Sequence, residues 1–484
     1  MDLIRIVNQL KPEQIRYAKA ILELRDLPGS CLEDPESISE DSVKMECADA
    51  ILDACSISNK KRDLKVSALL KLSQLYVLFW QGLYKEASEL LIQLKEEFES
   101  KEDYALMQLI HQLEIYLCSV DWEKDSFENR LDQHLKDYVI TTHKSIDLLS
   151  RWSLDTKLNR LLIKRGPSKN IMDTYEYDHL KEDVFVQKNK NPLSVYSRYY
   201  QLRCEKHLYE LDGNAKQLYS TNKQIVSLME NNPLQFAGSS SNLIYAYYDC
   251  GKTALMLDMI PQTQDAISKI RALEVKSEIG CYDRMNFSLS LEIESLLHQK
   301  KFDTVVSMEP QINELFEETA YSNMHVKGEH RKFYDYHLGV ACLWRRNNAK
   351  SLLHIQNITG SGDGSNMFKD LYSAALKVEL FNLLMQGNWA VLEERIKFST
   401  DFWQASQQFN QLEASMTQML RRICKTQGNS IELDLKKWLG EISPILQDPL
   451  EKNSLQNFDL EQWLKSILND MQGWEKSNSS SRSA

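Results

Sequence analysis

Glycine and proline are scarce in this chain, with 16 and 10 residues among 484. A chain built from many tight turns needs more of both, so long helices joined by short turns are expected. The nine cysteines are widely scattered from Cys31 to Cys424 and contain no CxxC pair. Neither a zinc site nor a disulfide framework is therefore suggested, and the thiols read as small apolar residues in a reducing compartment.

Long hydrophobic runs are also missing. The densest, Leu75-Tyr76-Val77-Leu78-Phe79-Trp80, falls far short of the roughly 20 residues that span a bilayer. The opening Met1-Asp2-Leu3-Ile4-Arg5-Ile6-Val7-Asn8 has charges inside its apolar stretch and no cleavage site, unlike a signal peptide. The expected location is the cytoplasm, with no membrane contact. Positive charge is in deficit as well, at a formal net charge of −11. That balance opposes broad capture by nucleic acid or an anionic membrane, because phosphate binding is driven by clustered Lys and Arg. Basic and aromatic residues are nowhere interleaved densely enough for single-stranded nucleic acid.

What the chain has is a recurring junction: an apolar-faced helix, a short polar or Gly turn, an aromatic or Ala, and a second apolar-faced helix. The best copy covers residues 64–98 and breaks at Gln81, Gly82, Leu83 and Tyr84; looser copies break at Lys300-Lys301-Phe302, Asn347-Asn348-Ala349 and Gln386-Gly387-Asn388-Trp389. In the first copy Leu72, Leu75, Tyr76 and Phe79 share one helix face. Ala87, Leu90, Leu91, Leu94 and Phe98 form a second stripe, and Leu106, Leu109, Ile110, Leu113, Tyr116 and Leu117 a third. Spacings of three and four place these side chains on one side of a 3.6-residue helix. Gly82 suits the left-handed conformation that ends a helix, and Ala87 lets paired backbones approach. The later pair repeats the pattern, with Tyr372, Ala375, Leu376, Glu379, Leu380 and Leu383 facing Leu392, Ile396, Ser399 and Trp403.

One hairpin cannot bury its own apolar face, so the fold class expected is all-α: a tetratricopeptide-like right-handed α-solenoid of stacked antiparallel helix pairs. The organisation expected is N-terminal helices with an acidic loop over 1–60, divergent hairpins over 61–440 with a weaker connecting segment near 165–192, C-terminal helices over 441–474, and a disordered Ser-rich tail over 475–484. Helices are expected at 193–211, 215–229, 243–259, 263–274, 282–299, 304–319 and 329–346.

Chemistry-bearing motifs read plainly. Cys250-Gly251-Lys252-Thr253 ends like a phosphate-binding loop, but the motif needs a Gly five residues before Gly251, where Ala246 stands. An ordinary helix is expected there. His325, Lys327, Glu329, His330, Arg331, Asp335 and His337 concentrate histidines and acids, yet His330 and His337 are two turns apart instead of the one that helical metal ligands need. Cys204 and His207 lack a third group to orient a base. Asp363, in the Gly360–Ser365 loop, lacks the alternating ligands of a calcium loop. No catalytic, cofactor or metal residue is assigned, and an enzyme is not expected. Tyr196, Tyr199, Tyr200, Tyr245 and Tyr248, carried on successive helices, are the candidate partner-binding residues, lining a concave groove for a peptide or helix.

The junction Gly82-x-Tyr84-x-x-Ala87 resembles the turn of a tetratricopeptide repeat, and Gln386-Gly387-Asn388-Trp389 with Leu392 is a looser match. The breaks are forty or more residues apart, against a roughly 34-residue tetratricopeptide period, so the resemblance is to a divergent form. A wider one covers much of the chain: Leu3-Ile4-x3-Asn8-Gln9-Leu10-Lys11-Pro12-Glu13-Gln14-Ile15-Arg16-Tyr17, Leu83-Tyr84-Lys85-Glu86-Ala87, the stretch from Glu379 to Leu392, and Phe458-Asp459-Leu460-Glu461-Gln462-Trp463-Leu464-Lys465-Ser466. These resemble a group of long tetratricopeptide-like helical proteins of Bacteroidetes. The resemblance implies one continuous helical architecture and a bacterial cytoplasm, and it carries over no functional residue. The expected function is a protein-interaction scaffold or adaptor. The alternative is a nucleic-acid-linked regulator using helices within 3–24, where Lys11, Arg16, Lys19 and Arg25 offer positive charge offset by Glu13 and Glu23.

Overall fold

A computed structural model describes residues 7, 10, 12–25, 27–35, 41–59, 64–120, 127–165, 174–188, 190–236, 240–275, 277–317, 325–360, 369–406, 408–448, 451–452, 454–455 and 458–481. Among them the chain is helical and contains no strand. It divides into two units, 1–146 and 147–484.

In the first unit, α1 (Pro12–Leu24) packs on α2 (Asp41–Asn59) through Ala18, Leu22, Ala48, Ala50, Ile51 and Ala54, all without exposed surface. The alanines allow the two backbones to lie close. Three further helices follow, α3 (Leu64–Trp80), α4 (Tyr84–Ser100) and α5 (Tyr104–Val120). Their core holds most of the predicted stripes, including Leu72, Leu75, Ala87, Leu91, Leu94, Phe98, Ile110 and Leu113. Tyr116 departs from the prediction: it is 59% exposed, and Met107 is buried instead. The division between the units falls inside α6 (Phe127–Arg165).

The second unit continues with α7 (Thr174–Lys188), α8 (Val195–Leu211), α9 (Ala215–Asn231), the single turn α10 (Pro233–Phe236), α11 (Ser240–Met256), α12 (Ile260–Ala272) and α13 (Glu278–His298). Next come α14 (Phe302–Ser307), α15 (Glu309–Glu317), α16 (His325–Trp344), α17 (Asn348–Thr359), α18 (Lys369–Gln386), α19 (Trp389–Ala405), α20 (Gln411–Lys425), α21 (Ile431–Ile445) and α22 (Leu460–Ser481). The helix expected over 304–319 is split at Met308, because Pro310 has no N–H with which to continue the ladder. Helix α22 extends through residues 475–481, which the sequence assigned to the tail, and 482–484 lie outside the described residues. So do 166–173 of the connecting segment; its remainder contains α7. That segment is anchored by Arg151, 1% exposed, which donates to Asp147 and to the carbonyls of Gln187 (3.3 Å) and Lys190 (3.1 Å).

One turn makes the hairpins. At Gly82 the chain takes φ +73°, the Gly82 N–H donates to the Phe79 carbonyl, and the Leu83 N–H reaches back to Leu78. This double closure satisfies carbonyls that a helix end otherwise leaves unpaired. The same two bonds and the same positive φ recur at Glu102, Gly213, Asp258, Lys300, Arg346, Gly387 and Gln427. In six of the eight turns the next residue is almost superimposable: Leu83, Asn214, Met259, Lys301, Asn347 and Asn388 all have φ between −85° and −90° and ψ between 58° and 79°. In the second unit the positive-φ residues are 45, 42, 46, 41 and 40 positions apart. The repeat therefore has a period of about forty-three residues, and four of its six left-handed positions, Asp258, Lys300, Arg346 and Gln427, are not glycine.

The C-terminal part of the second unit is closed on itself. Every residue of α18 from Leu371 to Leu384 is buried. Its expected stripe meets α19 as anticipated, while the opposite side is covered by later helices. Phe381 stacks among Trp463 (5.1 Å between centroids), Trp438 (5.9 Å) and Phe458 (6.1 Å). The chain end also returns to earlier helices: Tyr336 donates to the Leu455 carbonyl at 2.6 Å, and Arg346 holds Asp470.

Inside this core Lys377 (0% exposed) pairs with Glu413 (1%) at 2.7 Å. Lys377 Nζ also donates to Ser373 and to the Ser454 carbonyl, and lies over the Trp403 ring, while Glu413 accepts the Asn410 N–H that opens α20. A buried charge left without its partner costs about 3–5 kcal/mol, whereas removal of both charges is often neutral. Lys377→Met is thus expected to lose stability of that order, and Lys377→Met with Glu413→Gln to regain most of it. Urea unfolding followed by tryptophan fluorescence checks the pair.

Candidate functional site

The first helices of consecutive pairs, α8, α11, α13 and α16, are tied together by polar side chains. Arg203 on α8 donates to Asp155 on α6 at 3.0 Å, and Lys206 pairs with Asp249 on α11. Lys252 on α11 lies 3.6 Å from Glu294 on α13. Ser290 and Asn286 on α13 bond the hydroxyl of Tyr334 on α16. These links join residues 48, 43, 42 and 44 positions apart. That matches the spacing of the turns, so the same face of each first helix meets its neighbour.

The five candidate tyrosines lie on these helices but form two groups. On α8, Tyr196 and Tyr199 pack edge-on to Phe236, with centroids at 5.2 and 5.4 Å, and Tyr200 lies 5.3 Å from Tyr199. Tyr199 is only 7% exposed, and the Tyr196 hydroxyl donates to the Gln235 carbonyl. On α11, Tyr245 and Tyr248 both meet Phe287 of α13, at 4.9 and 5.0 Å. Phe287 continues to His330 on α16 at 6.1 Å, and His330 stacks on Tyr282. Among the described residues no ring pair joins the α8 group to the α11 group. Tyr245 stays 39% exposed, and Met285, elsewhere on α13, is 45% exposed.

Beneath Tyr245 lies Asp283, 6% exposed. Its Oδ2 accepts from the Ser241 hydroxyl at 2.8 Å and from the Tyr245 hydroxyl at 3.3 Å. Burial and then the Asp283 charge push the Tyr245 phenol up to about 12. The charge of Glu294 raises Lys252, so it remains an ammonium. Asp283 and Phe287 were not singled out from the sequence, and Lys252 was noted only within Cys250-Gly251-Lys252-Thr253. Positions 283, 287, 290 and 294 share one face of α13, but a helix buried on most sides offers no contrast by which to find that face.

The remaining motifs have structural duties. Gly251 lies mid-helix in α11, where a Cβ would come within 2.4 Å of Leu291 and 2.9 Å of Ala266. The glycine of Cys250-Gly251-Lys252-Thr253 thus serves close helix packing, and Thr253 accepts from Asn222 at 2.8 Å. His337, 1% exposed, bonds the Phe333 carbonyl, and burial lowers its pKa. His330 Nδ1 lies 3.0 Å from the Tyr282 hydroxyl. No group of three or more metal-ligating side chains occurs among the described residues. The side chains of His325, Lys327 and Glu329, and the loop residues from 361 including Asp363, lie outside the described residues. An open cleft of about 880 Å³ at the start of α21, lined by Ile431, Leu433, Lys436, Asp470 and Met471, has no histidine or cysteine in its wall. No helix among the described residues is long and apolar enough to cross a membrane.

Cys204 and His207 face different partners. The thiol is 2% exposed and points to the Arg151 carbonyl, and burial pushes its pKa well up. His207 faces Asp155 at 3.2 Å and Glu210 at 3.9 Å. Burial opposes its charge, but those carboxylates outweigh it and leave its pKa raised. Comparison with protein-family models, with curated proteins and with solved structures returns no match.

A thiol so placed is a poor nucleophile. Iodoacetamide applied to the folded protein at pH 8 is expected to label the partly exposed Cys281 at least about tenfold faster than Cys204, as read by peptide mass spectrometry.

Proposed function

We propose that this protein is an interaction scaffold: a tetratricopeptide-like α-solenoid that holds an extended or helical segment of a partner protein against the row formed by α11, α13 and α16. The observation that carries the reading is the set of half-exposed side chains on that row. Tyr245 (39% exposed) and Lys252 (44%) stand out from α11, where positions 244, 246, 251 and 253 are buried. Aromatic and cationic groups on a rigid support are what binding hot spots are made of. Rigid helices that are already cross-linked by ion pairs leave most of the ordering cost to the bound segment.

The geometry narrows the earlier expectation of a groove along five tyrosines. Tyr196 and Tyr199 are engaged with Phe236 and Tyr248 lies under Lys252, whereas Tyr245 remains 39% exposed. The C-terminal helices are occupied by the chain's own return, which leaves the middle of the second unit as the receptive part. All nine cysteines are free thiols, which suits the cytoplasm.

Selection from a displayed peptide library on the immobilised full chain tests the proposal. Enriched peptides are expected to bind Tyr245→Ala at least about tenfold more weakly, the loss typical of a hot-spot residue, with circular dichroism unchanged. Equal binding to parent and variant contradicts it.

A further inference from the structure

We propose that Tyr245, Phe287 and Asp283 form a receptor for one cationic side chain, Arg or Lys, of the bound protein segment. This rests on the scaffold reading and adds the chemistry of its ligand. Two comparable arrangements in the same unit show what the third is missing. Asp155 holds Arg203 at 3.0 Å, and that guanidinium lies over the Tyr200 ring at 5.9 Å. Glu294 lies 3.6 Å from Lys252, whose ammonium lies over the Tyr248 ring at 5.8 Å. Each set is a buried or half-buried carboxylate, a cation and a tyrosine face. Asp283 and Tyr245 supply the carboxylate and the ring, and among the described residues no cation joins them.

The local electrostatics favour a guest. Asp283 is 6% exposed, and hydroxyls reach only its Oδ2, so Oδ1 accepts no hydrogen bond among the described residues. A largely buried carboxylate with one oxygen held by no donor gains from an arriving cation, because the ion pair forms in a partly desolvated setting. Tyr245 and Phe287 stand at 86° with centroids 4.9 Å apart, which makes a corner of two ring faces. Such corners attract ammonium and guanidinium groups through the ring quadrupoles, more strongly when water is displaced. Tyr248, at 69° to Phe287, is already covered by Lys252, so the open position is the one beside Tyr245.

Ligand-observed saturation-transfer NMR with the full chain tests this, using acetyl-Gly-Arg-Gly-amide and its neutral citrulline counterpart. The arginine peptide is expected to bind at least about fivefold more tightly, in line with a partly desolvated cation–ring contact. Asp283→Asn, which keeps both hydroxyl bonds possible, is expected to remove that preference. Tyr245→Phe is expected to keep it and Tyr245→Ala to lose it, with thermal melts showing that each variant is folded. Equal binding of the two peptides, or an arginine preference that survives Asp283→Asn, overturns the proposal. Free arginine binding as tightly as the peptide also overturns it, since the cation would then arrive as a small molecule. Library peptides that depend on Tyr245 but show no Arg or Lys enrichment sink this inference while leaving the scaffold reading standing.

Discussion

Everything in the second unit depends on one backbone constraint, the left-handed residue that ends the first helix of each pair. A helix terminated this way returns its last amides to its own carbonyls and must reverse within two residues. In five of the six turns of this unit the next helix starts from nearly the same φ and ψ, so those pairs are assembled alike whatever their side chains are. A non-glycine residue there costs about 1–2 kcal/mol. Asp258, Lys300 and Arg346 nevertheless hold the position. Their side chains make surface links, each of little stability on its own: Asp258 accepts from His298 at 2.6 Å, Lys300 bonds Gln462, and Arg346 holds Asp470.

Repeating the turn at about forty-three residues repeats the face that each first helix offers to the next. Polar links then become possible at one spacing, and the chain uses them: Arg203 to Asp155, Lys206 to Asp249, Lys252 to Glu294, and Tyr334 to Ser290 and Asn286. Half-exposed pairs contribute little stability singly, so their value lies in register. Register in turn places Tyr245 above Asp283 and against Phe287. The candidate site is a consequence of how the helices are stacked, and no loop builds it.

Much of this was legible in the residues, and the failures have physical causes. Glycine at 82 and 387 and asparagine at 347 announced their turns through backbone preference. The turns at Asp258 and Lys300 carry no such letter, so there only the change of helical phase marked the break. The stripes of α3 to α5 and of α18 with α19 followed from 3.6-residue spacing, but Tyr116 fell on the exposed edge of its stripe. Complete burial of α18 was hidden, since one helix alone cannot show that Phe458 and Trp463, some eighty residues later, cover its far side. Tyrosine clustering pointed to the right helices. It did not separate the rings committed to Phe236 from those beside Phe287, because Phe236 sits in a one-turn helix that periodicity does not reveal.

Hydroxyl-radical footprinting of the folded chain, with oxidation rates read residue by residue, tests the stacking most directly. Tyr245 and Met285 are expected to oxidise readily, and Tyr247, Tyr334 and Tyr336, each less than a tenth exposed, to be protected until the protein is unfolded. Protection of Tyr245 together with rapid oxidation of Tyr247 or Tyr334 would mean that the first helices present other faces to one another, and the stacking described here would be wrong.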